Sequence, residues 1–295
     1  MKSIDDWEKI AEGKVRELYA PKFEHPKGDV ILVVASNRIS AFDFILDAEI
    51  PLKGAALTRS SVFWFYEIEE NLNIPTHFIS VDDESIPEVF RGRAMLCKRL
   101  KMIPAECVAR GFLTGSAFQE YAKTGKFQEF DLPSGLKDGA KLDKPIFSPA
   151  TKAAVGDHDE NISFDTLAEI IGEELAEKLR STTLKIFEFA SKKCEEVGLT
   201  LVDTKFEFGI DPSNGELTLG DEALTPDSSR YLDENAKSFD KQYVRDWLLN
   251  ESGWVKESGD KPPALPHDVV GQTSERYLDL LQRFWLSISE GKKEW

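Results

Sequence analysis

Strand-like and helix-like segments both occur along the 295-residue sequence, and together they predict an α+β fold. Val30–Ala35 is an aliphatic run of strand length, and the pattern of residues 201–220 predicts two short strands joined by a turn. Residues 54–71 and 175–194, by contrast, repeat apolar side chains at intervals of three or four, as amphipathic helices do.

The amino-terminal part is predicted to be rich in sheet. Residues 13–19 alternate polar and apolar side chains as an edge strand does, and the buried strand Val30–Ala35 follows. Residues 54–71 then form a helix that covers this sheet. Shorter apolar runs follow, interrupted at Pro104, where we place the boundary between an amino-terminal lobe (1–103) and a carboxyl-terminal lobe (104–295).

Early in the second lobe lies a segment in which apolar residues show no regular spacing. Residues 127–155 are rich in Gly, Pro, Lys and Asp, which predicts long connecting loops. Ser163 is a suitable cap for a helix that ends just before Gly198. Further helices are predicted at residues 238–250 and, as a terminal amphipathic helix, at residues 274–289.

The charge balance excludes some classes of partner. A formal net charge of −16 argues against a nucleic-acid or anionic membrane surface, so an anionic ligand must be met by a local cluster of cations or by a metal. Three cysteines without CxxC spacing suggest neither a disulfide framework nor a zinc site. The polar amino terminus and the short aliphatic runs lead us to expect a cytoplasmic protein without a membrane role.

The segment 201–230 carries the strongest chemical signal. Because side chains alternate along a strand, Asp203, Lys205 and Glu207 share one face, opposite Phe206 and Phe208. A turn rich in Asp, Pro, Ser, Asn and Gly follows, and the returning strand ends at residue 221.

This predicted hairpin can hold a metal-bound polyphosphate. Folding back brings Glu207 and Asp221 within reach of one cation, and two carboxylates with phosphate oxygens suit Mg²⁺. Lys205 then lies beside the same phosphates. Charged side chains on alternate positions are also typical of a solvated hairpin face. The loop that follows, with Asp227 and Arg230, favours anion binding over that alternative.

Two other segments carry weaker signals. Lys14 and Arg16 share a strand face beside Gly13 and can approach phosphates, although the GK[ST] ending of a Walker A loop is absent and an ordinary charged edge strand remains open. Further along, Arg110 precedes a Thr-Gly-Ser sequence at residues 114–116, which can cradle a phosphate.

Together these segments resemble the phosphoribosylaminoimidazole-succinocarboxamide synthase (SAICAR synthetase) family over nearly the whole chain. The blocks that carry the resemblance, in the family's order, are GKVRELY at Gly13, SNRISAFD at Ser36, PLKGAALT at Pro51, IPAECVARGFLTGS at Ile103, FSPATKAAVGDHDENIS at Phe147, LVDTKFEFG at Leu201, GDEALTPDSSR at Gly220 and FDKQYVRDWL at Phe239.

The resemblance implies an ATP-grasp-like fold in which two lobes clamp ATP, with the hairpin as the floor and a C-terminal helix packed outside. It also implies an ATP-dependent ligase of purine biosynthesis. ATP phosphorylates the carboxylate of carboxyaminoimidazole ribotide, and the amino group of L-aspartate attacks the resulting acyl phosphate. The partners are then these small molecules, without nucleic acid or membrane, and a monomer is expected.

The resemblance also assigns roles to residues by their position in the motifs. The catalytic set is Lys205, Glu207, Asp221 and Arg230, with Glu207 and Asp221 as Mg²⁺ ligands and Asp203 or Glu222 in support. The ATP-binding set is Lys14, Arg16, Leu96, Lys98, Leu100, Leu219 and Lys205. The ribotide-binding set is Arg110, Ser116, Asp227 and Arg230. Candidates for contact with aspartate are Asn37, Arg38, Ser40, Asp43, Lys53, Gly54, Thr151, Lys152, His158 and Asp159.

Alternatives remain at each level. Arg110 and Arg230 can instead form internal ion pairs with Glu106 or Asp233, and the polar loops can be solvated connections. A small-molecule kinase could use the same nucleotide lobe and metal carboxylates on an alcohol. A nucleotide-binding module without catalysis would bind ATP whether or not Glu207 and Asp221 were present.

Overall fold

A computed structural model describes residues 2–42, 44–152 and 160–289 of the chain. The strands are β1 Trp7–Glu12, β2 Arg16–Pro21, β3 Val30–Ala35, β4 Arg38–Ala41, β5 Phe44–Glu49, β6 Phe78–Ser80, β7 Ala94–Lys98, β8 Lys101–Met102, β9 Ala105–Leu113, β10 Ala140–Thr151, β11 Leu199–Ile210, β12 Leu217–Gly220 and β13 Ser229–Asp233. The α-helices are α1 Lys53–Leu72, α2 Gly115–Thr124, α3 Phe164–Ile171, α4 Glu173–Glu196, α5 Gln242–Asn250 and α6 His267–Ser289.

Two main sheets organise these strands. The first is antiparallel, has the order β1-β2-β3-β7-β6 and comes from the amino-terminal part of the chain. The second has the order β10-β9-β11-β12, with β8 and β13 also paired to β11. Strands β4 and β5 form a separate pair. The mixture of helices and antiparallel sheets confirms the α+β prediction.

Strand β11 is the centre of the second sheet. Its first half pairs with β9 and β13, whereas its second half pairs with β8 and β12. The β11–β12 pairing places Glu207 opposite Gly220 and Ile210 opposite Leu217, so the predicted hairpin is confirmed.

Packing of the hydrophobic core determines which face of β11 is buried. The apolar face of β11, including Phe206, packs with Phe187 of α4, and the same cluster extends to Trp64 of α1 and Phe284 of α6. Burial of large aromatic surfaces of this kind is the main favourable contribution to folding. The polar face of β11 is thereby directed away from the helices. Among the described residues, no helix is long and apolar enough to cross a bilayer.

The sequence prediction was wrong for part of residues 127–155, where β10 runs beside β9. Its two prolines, Pro145 and Pro149, obscure the strand pattern, because proline cannot donate to a ladder. The strand lies at the sheet edge, where proline is tolerated, and its register shifts between Lys141 and Ile146.

The single helix predicted from Ser163 to Gly198 is in fact two helices. Ser163 does cap α3, accepting a hydrogen bond from the Thr166 amide. Gly172 then separates α3 from α4 with φ +90° and ψ 144°, a conformation outside the helical region. The terminal helix also begins earlier than expected, at His267 directly after Pro266.

A close approach at Gly209 provides a test of the packing beside the hairpin. A Cβ atom at Gly209 would lie 2.7 Å from Leu100 Cβ and 3.0 Å from the Lys101 carbonyl oxygen. We expect Gly209→Ala to lower the free energy of unfolding by about 1–3 kcal/mol through overpacking, measured by urea denaturation. Gly271→Ala is the control, because no atom outside the helix's own backbone would lie within 4 Å of a Cβ at that position; equal losses in both variants would contradict the prediction.

Candidate active site

The polar face of β11 is built by the register of three strands. Asp203 lies opposite Arg110 of β9 on one side and near the start of β13, opposite Arg230, on the other. Arg230 donates to both Asp203 oxygens, with Nε at 2.8 Å from Oδ1, and Arg110 Nη1 lies 3.4 Å from Oδ2. One carboxylate therefore holds two guanidinium groups side by side.

The Thr-Gly-Ser sequence after β9 completes this cluster. Ser116 Oγ lies 3.4 Å from Arg110 Nη2. Gly115 has φ +59°, and a Cβ there would lie 3.0 Å from Nη1 of Arg230. Glycine thus lets the guanidinium pack directly against the backbone. Both arginines form internal ion pairs, as the alternative supposed, but their partner is Asp203 rather than Glu106 or Asp233.

Next along the same face, Lys205 and Glu207 form a charged chain with two neighbours. Lys205 donates to Glu106 on β9, and its Nζ lies 3.3 Å from Glu207 Oε1. Lys152, at the end of β10, donates to the other Glu207 oxygen. Burial alone would raise the pKa of Glu207, but Lys205 and Lys152 outweigh it and hold the pKa at about 2. Glu207 is therefore a carboxylate at neutral pH.

Arg16 connects the first sheet to the hairpin. Its Nη2 lies 2.7 Å from Asp221 Oδ2, and its Nη1 pairs with Glu222. The expected Lys14 and Arg16 pair on one strand face is wrong, because β2 begins at Arg16 and Lys14 lies in the β1–β2 turn. Gly13 donates to the Arg16 carbonyl across that turn, which ends the strand before Lys14.

Asp221 is held in an uncommon backbone conformation. Its φ is +56°, which costs energy for a residue other than glycine. His77 lies against its carbonyl oxygen, with Nε2 at 3.1 Å. Burial lowers the pKa of His77 to about 4, so the ring is neutral and its Nε2–H can donate to that carbonyl.

The donor set fits Mg²⁺. Burial raises the pKa of Asp221 to about 6, Glu207 and Glu222 add to the rise, and Arg16 opposes it. A divalent cation would relieve this repulsion between acids. Within the described residues, no group of three or more His, Cys, Asp and Glu side chains is arranged to hold a metal. Carboxylates such as those of Glu207 and Asp221 would share the ion with phosphate oxygens and water, which is the usual environment of Mg²⁺.

The residues assigned to adenine lie where the first sheet meets the hairpin. Leu96 is interior to the sheet, paired with Leu32 and Ser80, so Leu100, beyond the end of β7, is better placed for backbone contact. Lys98 Nζ lies 3.1 Å from Asp211 of the hairpin turn. Leu219 is fully buried in the core. Leu219 also accepts the His77 amide, which links the two sheets.

The candidates for aspartate binding are dispersed. Asn37 Oδ1 accepts the Gly54 amide at the start of α1, and Ser40 is buried in β4. Arg38 pairs with Glu12 of β1 at 2.6 Å. Of this set, Lys152 joins the β11 cluster through Glu207. Residue Asp43, and likewise His158 and Asp159, fall outside the described residues.

Asp227 is the one acid of the ribotide-binding set, and its side chain is almost fully buried. Lys53 Nζ lies 2.5 Å from its Oδ2, and the Tyr277 hydroxyl lies 2.7 Å from its Oδ1. Burial would raise the pKa of Asp227, but Lys53 outweighs it and keeps the pKa well below its usual range. Asp227 also lines a cavity of about 290 Å³, together with Ser116 and Arg230.

Sequence reasoning missed two cations of this cavity. Lys241 and Arg245 line it from the start of α5, within the block FDKQYVRDWL. Burial lowers the pKa of Lys241, and Asp227 opposes that shift. The helical spacing of four residues between these two basic side chains was a usable signal, because it places them on one helix face.

Asp240, beside that cavity, gives a pH prediction. Its oxygens accept the amides of Tyr231 at 3.1 Å and Gln242 at 2.6 Å, and burial raises its pKa to about 6. The folded protein then binds the proton more tightly than the unfolded chain. The contribution of Asp240 to stability is therefore present below the ordinary carboxyl pKa of 3.8 and is lost as the pH rises through about 6.

We expect the free energy of unfolding of the wild type, minus that of Asp240→Asn, to fall as the pH rises from 3.8 to about 6. Urea denaturation at a pH below it and at a pH above it measures the difference. A difference that rises with pH would contradict the assignment, because the folded protein would then hold the proton less tightly than the unfolded chain.

Comparison with known proteins extends this description to the whole chain. A sequence model of the family described as SAICAR synthetase matches residues 9–261. The phosphoribosylaminoimidazole-succinocarboxamide synthase of Corynebacterium urealyticum is 51% identical over 289 residues, covering 95% of this chain and 94% of its own length.

Two solved structures are similar over nearly the full length. The SAICAR synthase of Saccharomyces cerevisiae complexed with SAICAR is 34% identical with a TM-score of 0.81, covering 96% of this chain and 97% of its own. A type-2 SAICAR synthetase in complex with ADP is 25% identical with a TM-score of 0.68, covering 97% and 99%.

Proposed function

The chain belongs to the SAICAR synthetase family, and from this premise we propose that the polar face of β11 is the floor of its active site. The protein is an ATP-dependent ligase of purine biosynthesis. It joins L-aspartate to the carboxylate of carboxyaminoimidazole ribotide to give SAICAR, ADP and phosphate.

One observation supports the site most directly. The register of β9, β11 and β13 places Arg110 and Arg230 on either side of Asp203, and Lys205 and Glu207 continue along the same face. Cations are thus gathered in a chain whose net charge is −16. Such local clustering is what an anionic substrate requires in an otherwise repulsive field.

We place the ribotide phosphate at the paired guanidinium groups. Two forks and the Ser116 hydroxyl can donate to several phosphate oxygens at once. Lys241 and Arg245, which line the same cavity, add positive charge. Asp227, on the same cavity, can accept from ribose hydroxyls through the remaining lone pairs of its oxygens.

We place the ATP phosphates between Arg16 and the hairpin, with Lys14 at the turn and Lys205 on the floor. Glu207 and Asp221 would hold Mg²⁺, which when bound neutralises charge on the phosphates. Arg16 and Lys205 would spread the negative charge that develops on the transferring phosphoryl group. The adenine would lie beside Leu100, where the first sheet meets the hairpin; Leu219 is fully buried and would support this region from within the core.

The bond changes are those of carboxylate activation. The ribotide carboxylate oxygen attacks the γ-phosphorus and ADP leaves, giving an acyl phosphate. The aspartate amino group then attacks the acyl carbon, an amide bond forms, phosphate leaves and the amine releases a proton. Arg38 and Lys152 are the proposed partners of the aspartate carboxylates, because each would present a cation to an anion.

A coupled ADP assay tests the reaction. With carboxyaminoimidazole ribotide, ATP, Mg²⁺ and L-aspartate, we expect SAICAR and ADP in equal amounts, and loss of SAICAR when either aspartate or Mg²⁺ is omitted. ADP formation that does not need the ribotide, or a stable phosphoester as product, would favour a kinase. ATP binding without turnover of any substrate set would favour a binding module.

We also propose the remaining features of the molecule from its family and composition. The protein is a cytoplasmic monomer, with a sheet-rich amino-terminal lobe of residues 1–103 and a carboxyl-terminal lobe of residues 104–295 that contains the metal-binding hairpin. Cys97, Cys107 and Cys194 are free and buried, as suits a reducing compartment.

A further inference from the structure

Side chains of helix α6 make hydrogen bonds to two distant segments of the chain. Ser274 Oγ donates to the Pro51 carbonyl at 2.7 Å, just before α1, and Arg276 Nη1 donates to the Ser238 carbonyl at 2.6 Å, just before α5. The helix thus connects the start of α1 with the segment before α5. The family match ends at residue 261, before α6 begins at His267.

Directly after these two anchors, Tyr277 contacts Asp227, a residue of the cavity wall. The residue is 1% exposed, and its ring lies among Ala56, Leu57 and Leu281. Its hydroxyl hydrogen-bonds to Asp227 Oδ1 at 2.7 Å. The ring also lies 5.7 Å from Lys53 Nζ, the other partner of Asp227.

Because Asp227 is ionised and almost fully buried, its orientation depends on these two donors. Lys53 holds one oxygen as a charge partner, and Tyr277 holds the other as a neutral donor. Two donors on different oxygens fix the rotation of the carboxylate plane. A buried carboxylate with a single donor would be free to turn about its Cβ–Cγ bond.

We propose that Tyr277 is a positioning residue for ribotide binding, acting through Asp227. The inference rests on the proposed function, in which Asp227 meets the ribose, and extends it to a helix that lies beyond the family match. The hydroxyl orients the carboxylate so that its free lone pairs point into the cavity. Helix α6 is then part of the substrate site as well as part of the outer packing.

The test is Tyr277→Phe in the full-length protein, with Tyr121→Phe as the matched control. Tyr121 is also buried, and its hydroxyl donates to the Pro133 carbonyl at 2.6 Å and accepts from the Leu136 amide at 3.1 Å, with no contact to Asp227. Both variants keep the ring and lose one hydroxyl. We expect Tyr277→Phe to raise the ribotide KM about 10-fold, as loss of a hydrogen bond to a charged group would.

The ATP KM should stay within about twofold of the wild type in both variants, and both should show a comparable small fall in Tm. A ribotide KM in Tyr277→Phe equal to that of Tyr121→Phe would overturn the proposal. An equal rise in the KM for ATP would also overturn it, because it would indicate general damage.

A double variant tests whether the effect passes through Asp227. The ribotide KM of the variant that combines Asp227→Asn and Tyr277→Phe should match that of Asp227→Asn alone within about twofold, because contacting residues are not additive. Full additivity would overturn the route through Asp227. If Asp227→Asn does not fold, the comparison of Tyr277→Phe with Tyr121→Phe decides whether the proposal holds. Wild-type protein that forms no SAICAR would refute the proposed function, and this inference with it.

Discussion

Replacing Asp221 with asparagine is expected to lower kcat by about 100- to 1,000-fold, the usual effect of removing a group that stabilises transition-state charge. The substitution keeps the size of the side chain but removes the charge beside Arg16 and Glu207. Glu207 would then remain as the one carboxylate of the proposed Mg²⁺ pair, so the ion that neutralises the phosphates would be bound more weakly. Initial rates of ADP and SAICAR formation, measured over a range of Mg²⁺ concentrations, provide the measurement.

The dependence of the rate on Mg²⁺ concentration distinguishes the loss of a metal ligand from a loss of folding. The variant should require more Mg²⁺ for half-maximal rate, whereas a partly unfolded preparation should lose activity at every concentration in the same proportion. Glu216→Gln is the matched control, because it removes an exposed carboxylate on the same hairpin. An Asp221→Asn enzyme with the rate and Mg²⁺ dependence of Glu216→Gln would refute the assignment.

Replacing Arg230 with alanine is expected to raise the ribotide KM by about 100-fold, because a bidentate, charge-assisted contact to phosphate would be lost. Asp203 would keep only Arg110 as a cationic partner. The residual carboxylate charge would then repel the incoming phosphate. Steady-state kinetics at saturating ATP and aspartate give the ribotide KM.

Arg180→Ala is the control for Arg230→Ala. Arg180 also pairs with an acid, Glu177, but on the exposed surface of α4, where an ion pair contributes little. We expect its ribotide KM to match the wild type. Equal KM values in Arg230→Ala and the wild type would exclude Arg230 from the phosphate site.

The hairpin could be predicted from sequence because its determinants are local. Alternating side chains and a turn of favoured residues specify β11 and β12 within about 20 residues, and strand alternation alone places Asp203, Lys205 and Glu207 on one face. Strand β10 could not be predicted in this way. Its position at the sheet edge, which makes its prolines tolerable, is a property of the whole sheet.

Which residues belong to the site could be predicted from sequence better than which of them contact each other. Which carboxylate meets Arg110 depends on the register of β9 against β11, and no local pattern gives that register. The same holds for contacts between distant segments, such as Arg16 with Glu222 and Tyr277 with Asp227. Sequence periodicity assigns a residue to a face, whereas long-range pairing assigns its neighbour.

The pairing of Arg16 with Asp221 and Glu222 has a consequence for selectivity. Asp221 and Glu222 pair with the Arg16 guanidinium, so an anion that binds there has to compete with them. A small anion such as inorganic phosphate would replace the two acids only weakly as a partner of the arginine. A triphosphate with a bound divalent cation would serve both sides, because its phosphates pair with the arginine and its cation pairs with the displaced acids. The cleft would therefore favour a metal-bound triphosphate over a small anion.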